Sequence, residues 1–199
     1  MKGKVVAEQA IINLDAFKEC SLETTLHHIR RYQFVTNCLR PDDSVLDICC
    51  GSGYGTSIMG SVAKNVRGID KNTAAIAFAK EKYPGCKFQA QNILLYDFPY
   101  RHNVITMFEC LDHLPKNSGL EMLNKVRQSC QNILFLSLPQ DQKLGTNPYH
   151  LAKWTDTELK EELEKYFKRV VLFGQSWASG QIYFPYEERR SITVFMAVK

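Results

Sequence analysis

Val45-Leu46-Asp47-Ile48-Cys49-Cys50-Gly51-Ser52-Gly53-Tyr54-Gly55 decides the fold, because a short apolar run gives way abruptly to a loop with glycine at alternate positions. Val45 to Ile48 has the length and composition of a buried strand. Glycines directly after such a strand let the backbone turn sharply and approach a ligand closely. Similar apolar runs recur at Val66–Ile69, Cys86–Ala90, Val104–Phe108, Ile133–Leu138, Val170–Phe173 and Ile192–Val198. Helical spacing fills the intervals at Gly55–Ala63, Thr73–Lys82, Gly119–Gln131 and Thr155–Phe167. This alternation predicts an α/β fold, a doubly wound and mostly parallel sheet with helices on both faces. Gln175–Ser191, between the last two runs, is too short for a crossover helix, so the last strand is expected antiparallel, in a hairpin at the sheet edge.

A chain of 199 residues can bury a core as one domain without metal or disulfide support. Residues 1–199 are therefore read as a single unit, with an N-terminal helical lid (1–40) and a catalytic core (41–199). The lid helix is expected over Ser21–Leu39, and Arg40-Pro41-Asp42-Asp43-Ser44 supplies the turn into the first strand. Thr155-Asp156-Thr157-Glu158 is a capping box that starts the last helix. Hydrophobic residues at 45% and charged residues at 23% exclude a disordered chain. Lys and Arg exceed Asp and Glu by only 25 to 21, which permits a nucleic-acid partner without favouring one. Seven scattered cysteines with no CxxC pair argue against a zinc ribbon or a secreted disulfide framework. With no run long enough to span a bilayer, the expectation is a soluble, cytoplasmic protein in a reducing compartment, without a membrane partner.

The loop admits two kinds of nucleoside cofactor. Asp70 closes the second strand candidate about 20 residues on, placed to bind ribose hydroxyls, as a dinucleotide site requires; alone, it would equally cap the next helix. The third glycine of the dinucleotide pattern would fall at Thr56, and Gly55 is out of register. Asp47 would repel a pyrophosphate but suits the cationic amino group of a methionine moiety. That charge logic points to S-adenosylmethionine.

The run V-L-D-I-C-C-G-S-G-Y-G, the later Gly68-Ile69-Asp70, and Phe108-Glu109-Cys110-Leu111-Asp112-His113-Leu114 together resemble a class I S-adenosylmethionine-dependent methyltransferase along nearly the whole chain. The family more often carries Gly or Ala at the position of Cys49 and Asp at that of Asn92. The resemblance implies a Rossmann-like, seven-stranded sheet with an antiparallel last strand. It also implies cofactor contacts from Asp47, Cys49, Gly51, Gly53, Asp70 with Lys71, Asn92 and Ile93 at the adenine, and Phe108 beside the methionine part. His28-Ile29-Arg30-Arg31-Tyr32 resembles an H-x-x-R-Y stretch of sugar- and glycan-modifying members. There Arg31 would pair with the cofactor carboxylate and Tyr32 close over it; otherwise Arg30 and Arg31 are solvated charges and Tyr32 a core ring.

At the reacting end, a helical turn beginning at Glu109 would put Glu109, Asp112 and His113 on one face. Methyl transfer to an alcohol needs the hydroxyl proton removed, which suits a His oriented by a carboxylate. His113 is the first choice of base, with Asp112 and His150 as catalytic partners. Asn147-Pro148-Tyr149-His150, shortly before Trp154-Thr155, resembles glycan methyltransferases and, more distantly, small-RNA 3′-terminal 2′-O-methyltransferases. The latter resemblance implies a divalent metal, such as Mg²⁺ or Mn²⁺, held by Glu109, Asp112, His113 and His150. His27 and His102 have no such setting and read as surface residues. Aromatic residues Tyr149, Trp154, Trp177, Tyr183, Phe184 and Tyr186 lie mostly in late loops, and Gln181–Tyr186 is a possible acceptor flap. The expected activity is O-methylation of a sugar or glycan hydroxyl. Methylation of the RNA ribose 2′-hydroxyl and a catalytically silent cofactor-binding partner protein are the alternatives.

Overall fold

Strand β1, Ser44–Ile48, forms where the first apolar run predicts it, and its neighbours on either side define the sheet. The computed structural model describes residues 22–139, 150–176, 179–185 and 192–199. Helix α1 (Leu22–Thr36) precedes β1, and then come α2 (Tyr54–Gly60), β2 (Asn65–Asp70), α3 (Thr73–Lys82), β3 (Lys87–Ala90) and β4 (His102–Met107). The second half runs α4 (Lys116–Ser129), β5 (Cys130–Pro139), α5 (Asp156–Glu164), β6 (Arg169–Gln175), β7 (Ile182–Tyr183) and β8 (Ile192–Val198). The strands order as β3-β2-β1-β4-β5-β8-β6-β7, a Rossmann-like doubly wound sheet in which β8 is antiparallel to β5 and β6.

One feature differs from expectation. Among the described residues the sheet has eight strands rather than seven, because two-residue β7 pairs with the end of β6. A strand that short leaves no periodic signal in sequence. The last two apolar runs form the expected antiparallel hairpin at this end of the sheet, with β8 on its inner side, between β5 and β6. Its sequence explains this, since Ile192, Val194, Phe195 and Ala197 are buried and a strand apolar on both sides needs cover on both.

The strand period of two sorts the core into two layers. Leu46, Ile48, Ile105, Met107, Leu134 and Leu136 pack on one side with Met122, Leu123 and Val126 of α4 and Leu159 and Leu163 of α5. Val45, Val104, Phe135 and Val194 pack on the other with Tyr32 and Val35 of α1 and Met59 of α2. Asp47 and Thr106 share parity with Val45 and Val104, so they point toward α1 and α2. Helix α4 starts at Lys116, before the predicted Gly119, and the Trp154 ring lies over the Cα of Gly119. The capping box of α5 is present with both of its hydrogen bonds.

Helix α1 is anchored rather than loosely apposed. The Gln175 amide donates to the carbonyls of His27 and Gly180, both at 2.9 Å, tying the helix to the end of β6. His27 and His102 are therefore corrections: both are buried, His27 in the anchored helix and His102 at the start of β4. Gly55 in turn admits Tyr32, since a Cβ there would fall 2.1 Å from the Tyr32 ring. Gly55→Ala is expected to cost about 1–3 kcal/mol by overpacking. Thermal denaturation should show that Tyr32→Ala removes most of this cost in the double variant; strictly additive losses would mean the two side chains do not collide.

Candidate active site

The strand order reverses between β1 and β4, because the chain winds outward from β1 to β3 and resumes on the other side at β4. Ligands of open α/β sheets bind in the crevice beyond such a switch point. The loop after β1 is shaped for close approach: Cys49, Gly51 and Gly53 have φ of 59°, 54° and 80°. In that left-handed region Gly is unstrained and a Cys is not. Asp70, at the end of β2, accepts the Gly51 amide at 2.9 Å with one oxygen and the Asn72 amide at 2.8 Å with the other. It braces the loop, while Asn72 caps α3 by accepting from Ala74 and Ala75. Lys71 is exposed beside it. Asn92 caps the short 3-10 turn Ile93–Leu95, with Ile93 buried beneath.

Asp47 does not open onto the crevice. It is fully buried, and its oxygens accept from Thr56 and Thr106 at 2.7 Å and from Tyr32 at 3.3 Å. Asp47 ties α1, α2 and β4 together behind the loop, an organising role that its charge alone does not predict. Burial pushes its carboxyl up to about 6, against the pull of the three hydroxyls. The carboxyl thus takes a proton more readily in the folded chain than in the unfolded one. Its contribution to stability is complete below about pH 4 and is lost as pH rises through about 6. Relative to the wild type, Asp47→Asn should therefore gain stability between those two pH values and stay level above. Urea midpoints of both proteins across this range test it, and parallel curves would refute it. Buried His102, lowered to about 4 by desolvation and then Arg67, acts in the opposite sense in both proteins and cancels in the difference.

Arg31 is likewise inside the protein, with 1% of its side chain exposed and its guanidinium 2.8 Å from Glu109. The same group donates to Ser137 and to His28 Nδ1, so His28 serves as an acceptor. Burial first, then Arg31, hold the His28 pKa well down, which keeps the ring neutral for that bond. Ser137 also accepts the Glu109 amide and donates to its carboxylate. Tyr32 is the core ring of the alternative reading, edge-on to Phe108 at 5.1 Å, and Phe108 itself is buried. In this arrangement neither Arg31 nor Tyr32 faces an open cofactor site.

Glu109 is a further correction. It stands before the 3-10 turn Leu111–His113 at φ 48°, not within a helical turn, and its carboxylate goes to Arg31. A buried guanidinium needs that partner, which takes Glu109 away from Asp112 and His113. The latter two do meet His150. The Asp112 carboxylate lies 3.4 Å from His150 Nε2 and 3.9 Å from His113 Nε2, and the imidazoles stack edge-on at 5.2 Å. Amides of Leu151 and Ala152 donate to the Asp112 carbonyl and hold the His150 segment there. Asp112 is almost wholly buried, and neither carboxylate oxygen takes a hydrogen bond among the described residues. Burial, then Glu109, raise its pKa, and the two imidazoles pull it back. The three residues offer ligand atoms within 4.8 Å of one another, the spacing of a divalent-cation site.

Sequence reasoning missed Thr56, Thr106 and Ser137. Thr106 was within reach of it, since a polar residue in the central apolar strand β4 sits in register with Asp47. It also missed the pairing of Cys49 with Cys110, which the structure joins as a disulfide with Cα atoms 6.2 Å apart. Of the late aromatics, Trp154 is buried under the Lys116 ammonium and Tyr183 lies against Gly174, while Phe184 is exposed. Tyr149, Trp177 and Tyr186 lie outside the described residues, as does most of the loop before His150. No described helix is long and apolar enough to cross a membrane.

Residues 45–132 match the family described as the methyltransferase domain. A protein of Mycolicibacterium smegmatis described as a "probable S-adenosylmethionine-dependent methyltransferase" is 27% identical over 147 residues, covering 69% of this chain and 56% of the relative. The chain thus spans just over half the length of that curated relative. Among solved structures, a TehB-like SAM-dependent methyltransferase from Corynebacterium glutamicum superposes with a TM-score of 0.69 at 13% identity, covering 94% of this chain and 92% of its own. The methyltransferase domain of a bacterial Hen1 gives 0.63 at 19% identity, over 85% of this chain and 98% of its own. At these identities the structural likeness concerns the fold.

Proposed function

We propose that the chain is a class I S-adenosylmethionine-dependent methyltransferase acting on a hydroxyl, most favourably that of a sugar or glycan. The observation that carries the reading is the braced loop at the switch point: Gly51 and Gly53 in left-handed conformations, with the Gly51 amide held by Asp70. The match of residues 45–132 to a methyltransferase domain supports it. The residues fit the cofactor, because the glycine backbone of the loop lets a ligand approach closely, Asp70 closes β2 beside that loop, and Asn92 with Ile93 would border the adenine. When bound, S-adenosylmethionine supplies an activated methyl group on a sulfonium, open to in-line displacement by an oxygen nucleophile.

Within this reading the residues divide the work. Asp70, Cys49, Gly51 and Gly53 hold and orient the nucleoside. His113, the more exposed imidazole, removes the acceptor proton, and buried Asp112 stabilises the imidazolium that results. The side chains of Arg31, Glu109 and Ser137 fix the segment between β4 and that turn. The single-domain organisation, with α1 as a fixed cover over the crevice, belongs to the same proposal.

A second reading is favoured by the Asp112, His113 and His150 cluster. Two buried carboxylate oxygens without hydrogen bonds, flanked by two imidazoles, suit Mg²⁺ or Mn²⁺. Such a cation would acidify an acceptor hydroxyl, and the RNA ribose 2′-hydroxyl becomes the natural acceptor to test. The full chain incubated with methyl-labelled cofactor and a panel of glycans, short RNAs and small alcohols, with and without chelator, separates the readings. Chelator-resistant labelling of a glycan is the result expected. Labelling of RNA that the chelator abolishes would replace it with the second reading, and binding of cofactor without transfer to any acceptor would favour a silent partner protein.

A further inference from the structure

We infer that Cys49 and Cys110 form a redox latch on the cofactor crevice, closed as a disulfide and open as two thiols. The inference rests on the cofactor reading above and concerns the regulation of that same site. Cys49 is the first residue after β1, and Cys110 lies just beyond the end of β4. These are the adjacent strands at which the sheet order reverses, so the bond between their following residues spans the mouth of the crevice.

What the bond connects gives it leverage. Cys49 belongs to the cofactor loop and holds a left-handed conformation, so the bond acts on a residue that sets the loop's path. Cys110 follows Glu109, whose carboxylate anchors Arg31 and through it the covering helix α1. Closing the bond therefore pins the loop to the segment that also fixes the cover, and it places two sulfurs between the strand ends. A cofactor lying over those ends competes with that closure. The pairing is specific to position, since Cys38, Cys50, Cys86 and Cys130 stay free.

The chemistry balances with a glutathione-type disulfide as oxidant. Cys49 is partly exposed and Cys110 is buried, so the Cys49 thiolate attacks first, forming a mixed disulfide and releasing one glutathione thiolate. The Cys110 thiolate then attacks the Cys49 sulfur and releases the second. Two thiol protons pass to solvent and on to the two glutathiones. The protein loses two electrons, which the oxidant gains, and excess reduced glutathione reverses both steps.

The full chain equilibrated in buffers rich in either reduced or oxidised glutathione provides the test. Alkylation and peptide mass analysis read the state of Cys49 and Cys110, and titration calorimetry reads affinity for S-adenosylhomocysteine. The reduced protein is expected to bind at least about tenfold more tightly than the oxidised one. Cys110→Ser should bind alike in both buffers, with Cys110→Ala as a second variant should the first fold poorly. Equal affinities despite a formed disulfide would overturn the latch, as would two free thiols throughout the oxidising range. A reduced protein that exchanges its disulfide but binds no cofactor would overturn the cofactor reading, and the latch with it.

Discussion

His113→Ala is expected to lower turnover by about 10²- to 10⁴-fold, the range lost with a positioned general base, while leaving cofactor affinity within about twofold. The argument is positional. Of the two imidazoles on Asp112, His113 has 29% of its side chain exposed and His150 only 12%, so an acceptor entering from solvent meets His113 first. Asp112 supports the proton transfer from behind: its oxygens carry no other hydrogen bond, leaving the charge available to an imidazolium. His150→Ala separates the two chemistries. With metal-free proton transfer it should cost far less than His113→Ala, and with a cation held by all three residues it should cost as much. Single-turnover rates at saturating cofactor are the measurement, and an unchanged rate in His113→Ala would remove it as the base.

How much of this was legible in sequence depends on whether the signal was local. The alternation of apolar runs and helical spacing carried the doubly wound sheet, and Thr155 with Glu158 carried the start of α5, because both are written in neighbouring residues. Which strand of the terminal hairpin lies inward is not local. Both apolar runs suit the hairpin at the sheet edge, and only the pairing of β8 with β5 as well as β6 decides. Two-residue β7 left no pattern to read.

The site shows the same division more sharply. Asp112, His113 and His150 are legible by residue type and resemblance, and the structure brings them together. A helical turn at Glu109 would carry its carboxylate to the same face, but a left-handed backbone and the Arg31 pair send it elsewhere. Charge alone suits Asp47 to a cationic amine, while its burial and three hydroxyl partners make it a brace. Charge logic says which ligand a carboxylate would suit but not whether the carboxylate is free to meet it. Partners such as Thr56 and Ser137, distant in sequence and of ordinary type, decide that question.

Asp70→Ala is expected to weaken cofactor binding by about 10²-fold, since a hydrogen bond to a charged group contributes roughly 1.5–3 kcal/mol. Two losses coincide there. The carboxylate available to the ribose hydroxyls disappears, and the Gly51 amide loses its acceptor, so the loop between β1 and α2 loses its brace. The Asn72 amide at the head of α3 loses its acceptor as well, but the Asn72 side chain still caps that helix, and the fold should survive. Asp70→Asn distinguishes the two losses. Its carbonyl can still accept from Gly51, so the loop keeps its shape while the charge goes. If the ribose contact dominates, Asn should bind the cofactor nearly as weakly as Ala; if the brace dominates, Asn should restore most of the affinity. Calorimetric titration with S-adenosylhomocysteine, alongside circular dichroism to show both variants folded, makes the comparison. Wild-type affinity in Asp70→Ala would place the cofactor somewhere other than this loop, because no bound nucleoside there could ignore the loss of both contacts.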